Sequence, residues 1–183
     1  MEYEVIRSRR KTLAAEIRDG RLLIRAPLRT QNAEIEAFIS GHRRWIETHL
    51  AEAQKRQAAI AEAGLLTPEE LDALCEKARR VIPERVAYYA PLVGVRYGRV
   101  TVRRHRSRWG SCSAQGNLSF NCLLMLAPPE VLDSVVVHEL CHRLEMNHSP
   151  RFWAEVERVM PDYRERHRWL KEHGAVLMGR LGK

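Results

Sequence analysis

The segment His138-Glu139-Leu140-Cys141-His142, with His148 shortly after it, contains the residue types of a metal site. Residues four apart lie on one face of a helix, so the imidazoles of His138 and His142 can bind one ion. A third protein ligand leaves one tetrahedral position for water, which is typical of catalytic rather than structural zinc sites. Glu139 lies next to that position and can act as a general base. The pattern predicts a zinc-dependent hydrolase, most directly one that cleaves peptide bonds.

The helix that carries this pattern is predicted to be buried. Apolar residues occur on all of its sides, at Val131, Leu132, Val135, Val136, Val137, Leu140 and Leu144. Titratable side chains inside such a helix are costly unless they are paired or bind a metal. The sequence therefore favours a metal site over a solvated helix that carries histidines by chance.

The third ligand must come from beyond the helix. Glu145 continues the same face about 4.5 Å further along the axis, and three ligands in a line cannot form one face of a tetrahedron. Residues 146–150 predict a turn followed by the N-cap and first position of the next helix. His148 on this turn is the predicted third ligand. Glu155 or Glu157 of the next helix is the alternative.

Cys141 lies within the motif but off the ligand face, and we interpret it as a small packing residue. The other cysteines form no C-x-x-C pair. Scattered cysteines favour a reducing compartment over a disulfide framework.

No apolar run approaches the ~20 residues of a membrane helix, and the amino terminus has no signal-peptide layout. We expect a cytoplasmic protein without membrane association.

The order of predicted elements indicates an α+β fold. We expect a small antiparallel sheet packed on helices, a zincin-like core with the buried H-E-x-x-H helix, and an N-terminal hairpin and helix as an appendage. The chain divides into an N-terminal region, 1–64, and a zincin-like domain, 65–183. The predicted elements are a hairpin, 12–18 and 21–26; helices, 32–63 (with a break near 41), 67–90, 150–159 and 162–173; and strands, 100–106 and 117–123. Gly174 is expected to stop the last helix.

Several segments together resemble the YgjP-like metallopeptidase family, which is related to the SprT-like and WLM zinc peptidases. These segments are Ser107-Arg108-Trp109-Gly110-Ser111-Cys112-Ser113, Gly116-Asn117-Leu118-Ser119-Phe120-Asn121, the H-E-x-x-H motif, Asn147-His148-Ser149 and Phe152-Trp153. The resemblance covers most of the chain. It implies that His138, His142 and His148 bind zinc and that Glu139 is the catalytic acid and base.

Trp109, Gly110 and Ser111 are candidate substrate-binding residues. A strand that borders a metal cleft can pair with an extended peptide through backbone hydrogen bonds. The alternative is a core hairpin in which Trp109 is buried and Gly110 marks a bulge. Tyr163 and His105 are candidates for stabilising an oxyanion.

The chain has a formal net charge of +8, with arginines close together at 103, 104, 106 and 108. Alternate residues of a strand face opposite sides, so only some of these arginines can share a face. We expect weak, non-specific nucleic-acid binding at most, besides a peptide or protein substrate. Three alternatives stay open: a nucleic-acid-associated SprT-like protease, a hydrolase of nucleotides or phosphorylated small molecules, and a metal-stabilised binding protein without turnover.

Overall fold

The computed structural model describes residues 1–182, which divide into two compact units. The first unit is Met1–Gly64 and the second is Leu65–Lys183. The second unit contains the H-E-x-x-H helix. The mixture of helices and small sheets confirms the predicted α+β class.

The first unit contains a three-stranded sheet, order β1-β3-β2. Its strands are β1 (Tyr3–Ser8), β2 (Ala14–Arg18) and β3 (Arg21–Pro27). The predicted hairpin joins β2 to β3, and its turn residues Asp19 and Gly20 have φ angles of 52° and 72°, which this tight turn needs. Strand β1 was not predicted, and it pairs with β3 in parallel.

Two helices complete this unit, α1 (Asn32–Gly41) and α2 (Arg43–Ala63). The helical stretch is interrupted at His42, where a break near Gly41 was expected. Buried side chains of β3 and both helices form a separate core, consisting of Leu22, Ile24, Ala26, Ile35, Ile39 and Ile46.

The second unit surrounds a larger core with helices and a second small sheet. Its elements are α3 (Pro68–Val93), β4 (Val100–Arg103), β5 (Gly110–Cys112), β6 (Leu118–Asn121), a short 3-10 helix (Cys122–Leu126), α4 (Pro129–Cys141), α5 (Pro150–Val159) and α6 (Tyr163–Gly179). The strand order is β4-β6-β5. β6 is parallel to β4 and antiparallel to β5, so this sheet is mixed rather than purely antiparallel.

The predicted strand 100–106 ends early, at Arg103. The buried Asn121 amide donates hydrogen bonds to the carbonyl oxygens of His105 (2.7 Å) and Arg108 (3.1 Å). These carbonyl groups therefore bind a side chain instead of a neighbouring strand. The chain forms a loop here and resumes as β5, which is an edge strand.

Helix α4 is buried on nearly all sides, as predicted. It ends at Cys141, so Leu144 lies beyond it and is 47% exposed, in contrast to the expectation that it is part of the buried surface. Asp133 of α4 accepts two hydrogen bonds of 2.7 Å from Arg85 of α3. This paired contact fixes α4 against α3.

Helix α6 continues through Gly174, so the prediction that this glycine stops the helix is wrong. A Cβ atom at Gly174 would lie 3.0 Å from the Trp109 ring. Because glycine has no side chain, α6 can pack closely against the Trp109 ring at this position. The glycine serves this packing inside the helix and does not end it. Among residues 1–182, no helix is long and apolar enough to cross a membrane.

Candidate metal centre

The structure brings three imidazoles together at the carboxyl end of α4. One ring nitrogen from each of His138, His142 and His148 lies within 4.8 Å of the other two. The Nε2 atoms of His138 and His148 are 3.0 Å apart. His138 lies on the last turn of α4, His142 is its C-cap, and His148 comes from the following turn, just before the Ser149 N-cap of α5.

Hydrogen bonds to Nδ1 orient two of these rings, those of His138 and His142. His142 Nδ1 lies 3.1 Å from the carbonyl oxygen of Glu145. A carbonyl oxygen only accepts hydrogen bonds, so this nitrogen carries the proton and Nε2 keeps a free lone pair. His138 Nδ1 lies 2.9 Å from the Tyr163 hydroxyl. A lone pair directed at a shared point, with the other nitrogen hydrogen-bonded, is the arrangement that metal-binding histidines use.

Burial keeps the first two imidazoles uncharged. Burial, together with smaller contributions from the neighbouring His142, His148 and His167 rings, lowers the pKa of His138 to about 3. Burial also lowers the pKa of His142. Neutral imidazole is the form that binds a metal ion. The donor set therefore fits a divalent metal with a preference for nitrogen ligands, such as zinc.

Glu139 is buried beside this cluster, with 6% of its surface exposed. Burial raises the pKa of its carboxyl group to about 8, while the charge of Arg108 acts in the opposite direction. A Cβ atom at Gly110 would lie only 2.5 Å from Glu139 Oε1. Gly110 thus provides the space that the carboxyl group occupies, which connects the β5 segment directly to the H-E-x-x-H motif.

A family model described as YgjP-like, metallopeptidase domain, matches residues 11–74 and 70–173. The chain belongs to the YgjP-like metallopeptidase family. A search of curated proteins found no match. Among solved structures, the chain is similar to the metallopeptidase zymogen of Pyrococcus abyssi abylysin, with 21% sequence identity and a TM-score of 0.46. That similarity covers 50% of this chain and 94% of the other.

Membership of the YgjP-like family confirms the predicted metallopeptidase activity, and with it a peptide or protein substrate.

A small cavity of about 150 Å³ opens beside the buried side chain of Glu139. Its lining includes Trp109, Gly110, His138, Glu139, Tyr163 and His167. Two of the three candidate substrate-binding residues therefore lie at the candidate metal centre of this YgjP-like protein. The third, Ser111, lines a different groove.

The alternative ligands lie outside the imidazole cluster. Glu155 accepts a hydrogen bond from Arg158 (2.8 Å), and Glu157 accepts one from Arg164 (2.9 Å). Cys141 is fully buried, and burial raises the pKa of its thiol to about 12. A thiol with this pKa stays protonated and packs as a small apolar residue.

The two candidate oxyanion stabilisers have different surroundings. The Tyr163 hydroxyl bonds to His138, and it lies 3.4 Å from His167 Nδ1. It is therefore positioned to orient His138, a candidate metal ligand. His105 lies in the groove with Ser111, where its Nε2 is 3.1 Å from the Ser119 hydroxyl.

Sequence reasoning missed His167, which lines the small cavity. His167 follows Tyr163 by one helical turn on α6, so both side chains face the same way. The spacing of Tyr163 and His167 could have indicated that His167 lies near the site. That inference also needs the packing of α6 against α4, which the sequence does not show.

The four clustered arginines do not share one surface. Arg103 and Arg108 line the groove with Ser111, together with Arg99. Arg104 instead forms an ion pair with Asp72, and Arg106 donates a hydrogen bond of 2.8 Å to the carbonyl oxygen of Gly182. Only some of the four arginines share a surface, as expected, but alternation along a strand is not the reason, because β4 ends at Arg103 and Arg104 to Arg108 lie on a loop.

Proposed function

We propose that this metallopeptidase uses zinc, with His138, His142 and His148 as ligands and Glu139 as general base. The observation that carries the proposal is the cluster of three imidazole nitrogens within 4.8 Å, beside a buried glutamate. Three nitrogen ligands with space for a fourth, non-protein ligand are typical of catalytic zinc.

Zinc held by these three histidines would act as a Lewis acid and would lower the pKa of a bound water from 15.7 to about 7. Glu139 accepts a proton from the attacking water and then delivers it to the leaving amine nitrogen. Burial raises the pKa of Glu139, and a bound divalent cation would favour its ionised form, so opposing effects suit a group that must both accept and release a proton. His138 donates its Nδ1 hydrogen to the Tyr163 oxygen, which holds the ring in the tautomer that leaves Nε2 free.

The segment Trp109-Gly110-Ser111 is proposed to bind the substrate. Within residues 1–182, β5 pairs with β6 alone, which leaves its other edge for an extended peptide. Trp109 and Gly110 line the cavity that contains Glu139, which supports a role for them as one wall of the peptide-binding cleft.

Two further properties are proposed from the chain itself. The four cysteines are free, which supports a reducing, cytoplasmic environment. Weak, salt-sensitive binding of nucleic acid stays a prediction, supported by the +8 net charge.

The test of the proposed function is Glu139→Gln, which keeps the size of the side chain but cannot accept a proton. We expect zinc content to be unchanged and hydrolysis of a quenched fluorescent peptide library to fall by at least about 10²-fold. Glu145→Gln is the matched control, because the hydrogen bond of Glu145 to His142 comes from its backbone carbonyl, which the substitution keeps. Equal turnover by Glu139→Gln and the native enzyme would remove Glu139 from the mechanism.

A further inference from the structure

A groove of about 880 Å³ lies on the solvent side of the sheet β4-β6-β5. Ser119 of β6 pairs with Thr101 of β4 on one side and with Ser111 of β5 on the other. All three residues line the groove. The Thr101 hydroxyl donates to the carbonyl oxygen of Leu118 (3.2 Å), and the Ser119 hydroxyl lies 3.1 Å from His105 Nε2. The flanking residues of β6, Leu118 and Phe120, are buried in the core, and Leu118 also borders the groove.

The groove is positively charged. Arg99, Arg103 and Arg108 line it, and none of them forms an ion pair within residues 1–182. No aspartate or glutamate is among its lining residues in this part of the chain. Exposed arginines that form no ion pair are suited to bind carboxylate groups.

The wall of the groove is held in place before any ligand binds. Asn121 is completely buried, and its amide donates to the carbonyl oxygens of His105 and Arg108. Its backbone N–H donates a further hydrogen bond of 2.8 Å to the carbonyl oxygen of Trp109. These bonds fix the loop that carries Arg108, so less conformational entropy is lost when a ligand binds.

The groove and the candidate metal centre share strand β5. Gly110 lies against Glu139, while the next residue, Ser111, lines the groove. Side chains of an extended peptide alternate in direction, so a peptide along β5 can place one residue towards Glu139 and a neighbouring one towards the groove.

We propose that this groove binds aspartate or glutamate side chains of the peptide substrate, and so selects acidic segments for cleavage. The proposal rests on the proposed function and adds a substrate class to it. Single-stranded nucleic acid is the less favoured ligand, because its binding sites use aromatic side chains for base stacking. In the described chain, no aromatic ring other than the His105 imidazole lines the groove.

Binding can be measured without turnover in the Glu139→Gln background. The probe is a fluorescein-labelled peptide of alternating glutamate and alanine, compared with a peptide in which glutamine replaces glutamate, at about 0.15 M salt. Arg99→Gln/Arg103→Gln is the test variant. Arg104→Gln/Arg106→Gln is the control, because it removes the same charge from arginines that lie outside the groove.

We expect the acidic peptide to bind at least about tenfold more tightly than the glutamine peptide, and the test variant to abolish this difference. The control variant should retain it to within about twofold. Equal affinity for the two peptides, or an equal loss in both double variants, would overturn the proposal. So would tighter binding of a single-stranded oligonucleotide of the same charge that depends on Arg99 and Arg103.

The two proposals can fail separately. Loss of peptide selectivity with hydrolysis intact would reject the groove alone. Selective binding of the acidic peptide together with normal turnover by Glu139→Gln would support the groove and reject the assigned general base.

Discussion

At the scale of single residues, the directions of the His138 and His142 imidazoles depend on partners outside the H-E-x-x-H motif. The Tyr163 hydroxyl lies 2.9 Å from His138 Nδ1. Tyr163→Phe removes this partner and leaves the aromatic ring. We expect zinc affinity to fall about 10-fold to 100-fold, measured by competition with a chromogenic chelator. Tyr89→Phe is the control, because its hydroxyl bonds to Asp133 instead. Unchanged affinity in Tyr163→Phe would contradict the orienting role.

Gly110 provides a second test at this scale. A methyl group there would lie 2.5 Å from Glu139 Oε1, closer than any normal contact. Gly110→Ala should therefore displace the carboxyl group and reduce turnover by roughly 10²-fold, because small misplacements of catalytic groups are costly. Zinc content should not change. Gly41→Ala is the control, since nothing lies within 4 Å of a Cβ atom there. Full activity of Gly110→Ala would show that the carboxyl group does not need this space.

The sequence predicted which histidines cluster, but not what surrounds them. The i, i+4 spacing of His138 and His142 is a local property of a helix, and the N-cap pattern at Ser149 places His148 on a turn. The contacts of Tyr163 with His138 and of Gly110 with Glu139 join residues more than 20 positions apart. Such contacts depend on tertiary packing, which no local pattern contains.

At the scale of elements, the position of the metal-binding helix depends on a paired charge. Asp133 of α4 is buried and accepts two hydrogen bonds from Arg85 of α3, and a third of 3.1 Å from Tyr89. Removing the carboxylate leaves the guanidinium group of Arg85 without its partner. We expect Asp133→Ala to lower the free energy of unfolding by about 2–3 kcal/mol in urea denaturation.

The matched control is Asp72→Ala, which breaks the exposed ion pair with Arg104. Exposed pairs contribute at most about 1 kcal/mol, so this variant should unfold near the native midpoint. If the two variants lose the same stability, the buried pair does not fix α4 against α3.

The first residues of the helices were the most predictable features of the fold, because a helix cap depends only on residues close together in the sequence. Thr67 and Glu70 form the expected capping box, and α5 covers the predicted range. The strands were less predictable. β1 pairs in parallel with a strand that is distant in sequence, and β4 ends where the Asn121 amide binds the following loop. Gly174 was misread because its role is to make room for Trp109.

At the scale of the whole molecule, the residues of the candidate site all belong to the unit Leu65–Lys183. This unit has its own core, to which buried side chains of α3, β6 and the helices α4 to α6 contribute. The formal net charge of +8 could be read from composition. Its distribution could not, because the partners of Arg104 and Arg106 are brought close only by folding.

The central claim is that three histidines of this chain hold one zinc ion, and metal analysis of purified variants tests it most directly. By mass spectrometry we expect about one zinc per native chain, and clearly less in His148→Ala, because two imidazoles form a poor site. Glu155→Ala and Glu157→Ala should keep their zinc, since both carboxylates pair with arginines instead. A fully loaded His148→Ala together with an empty Glu155→Ala or Glu157→Ala would contradict this assignment.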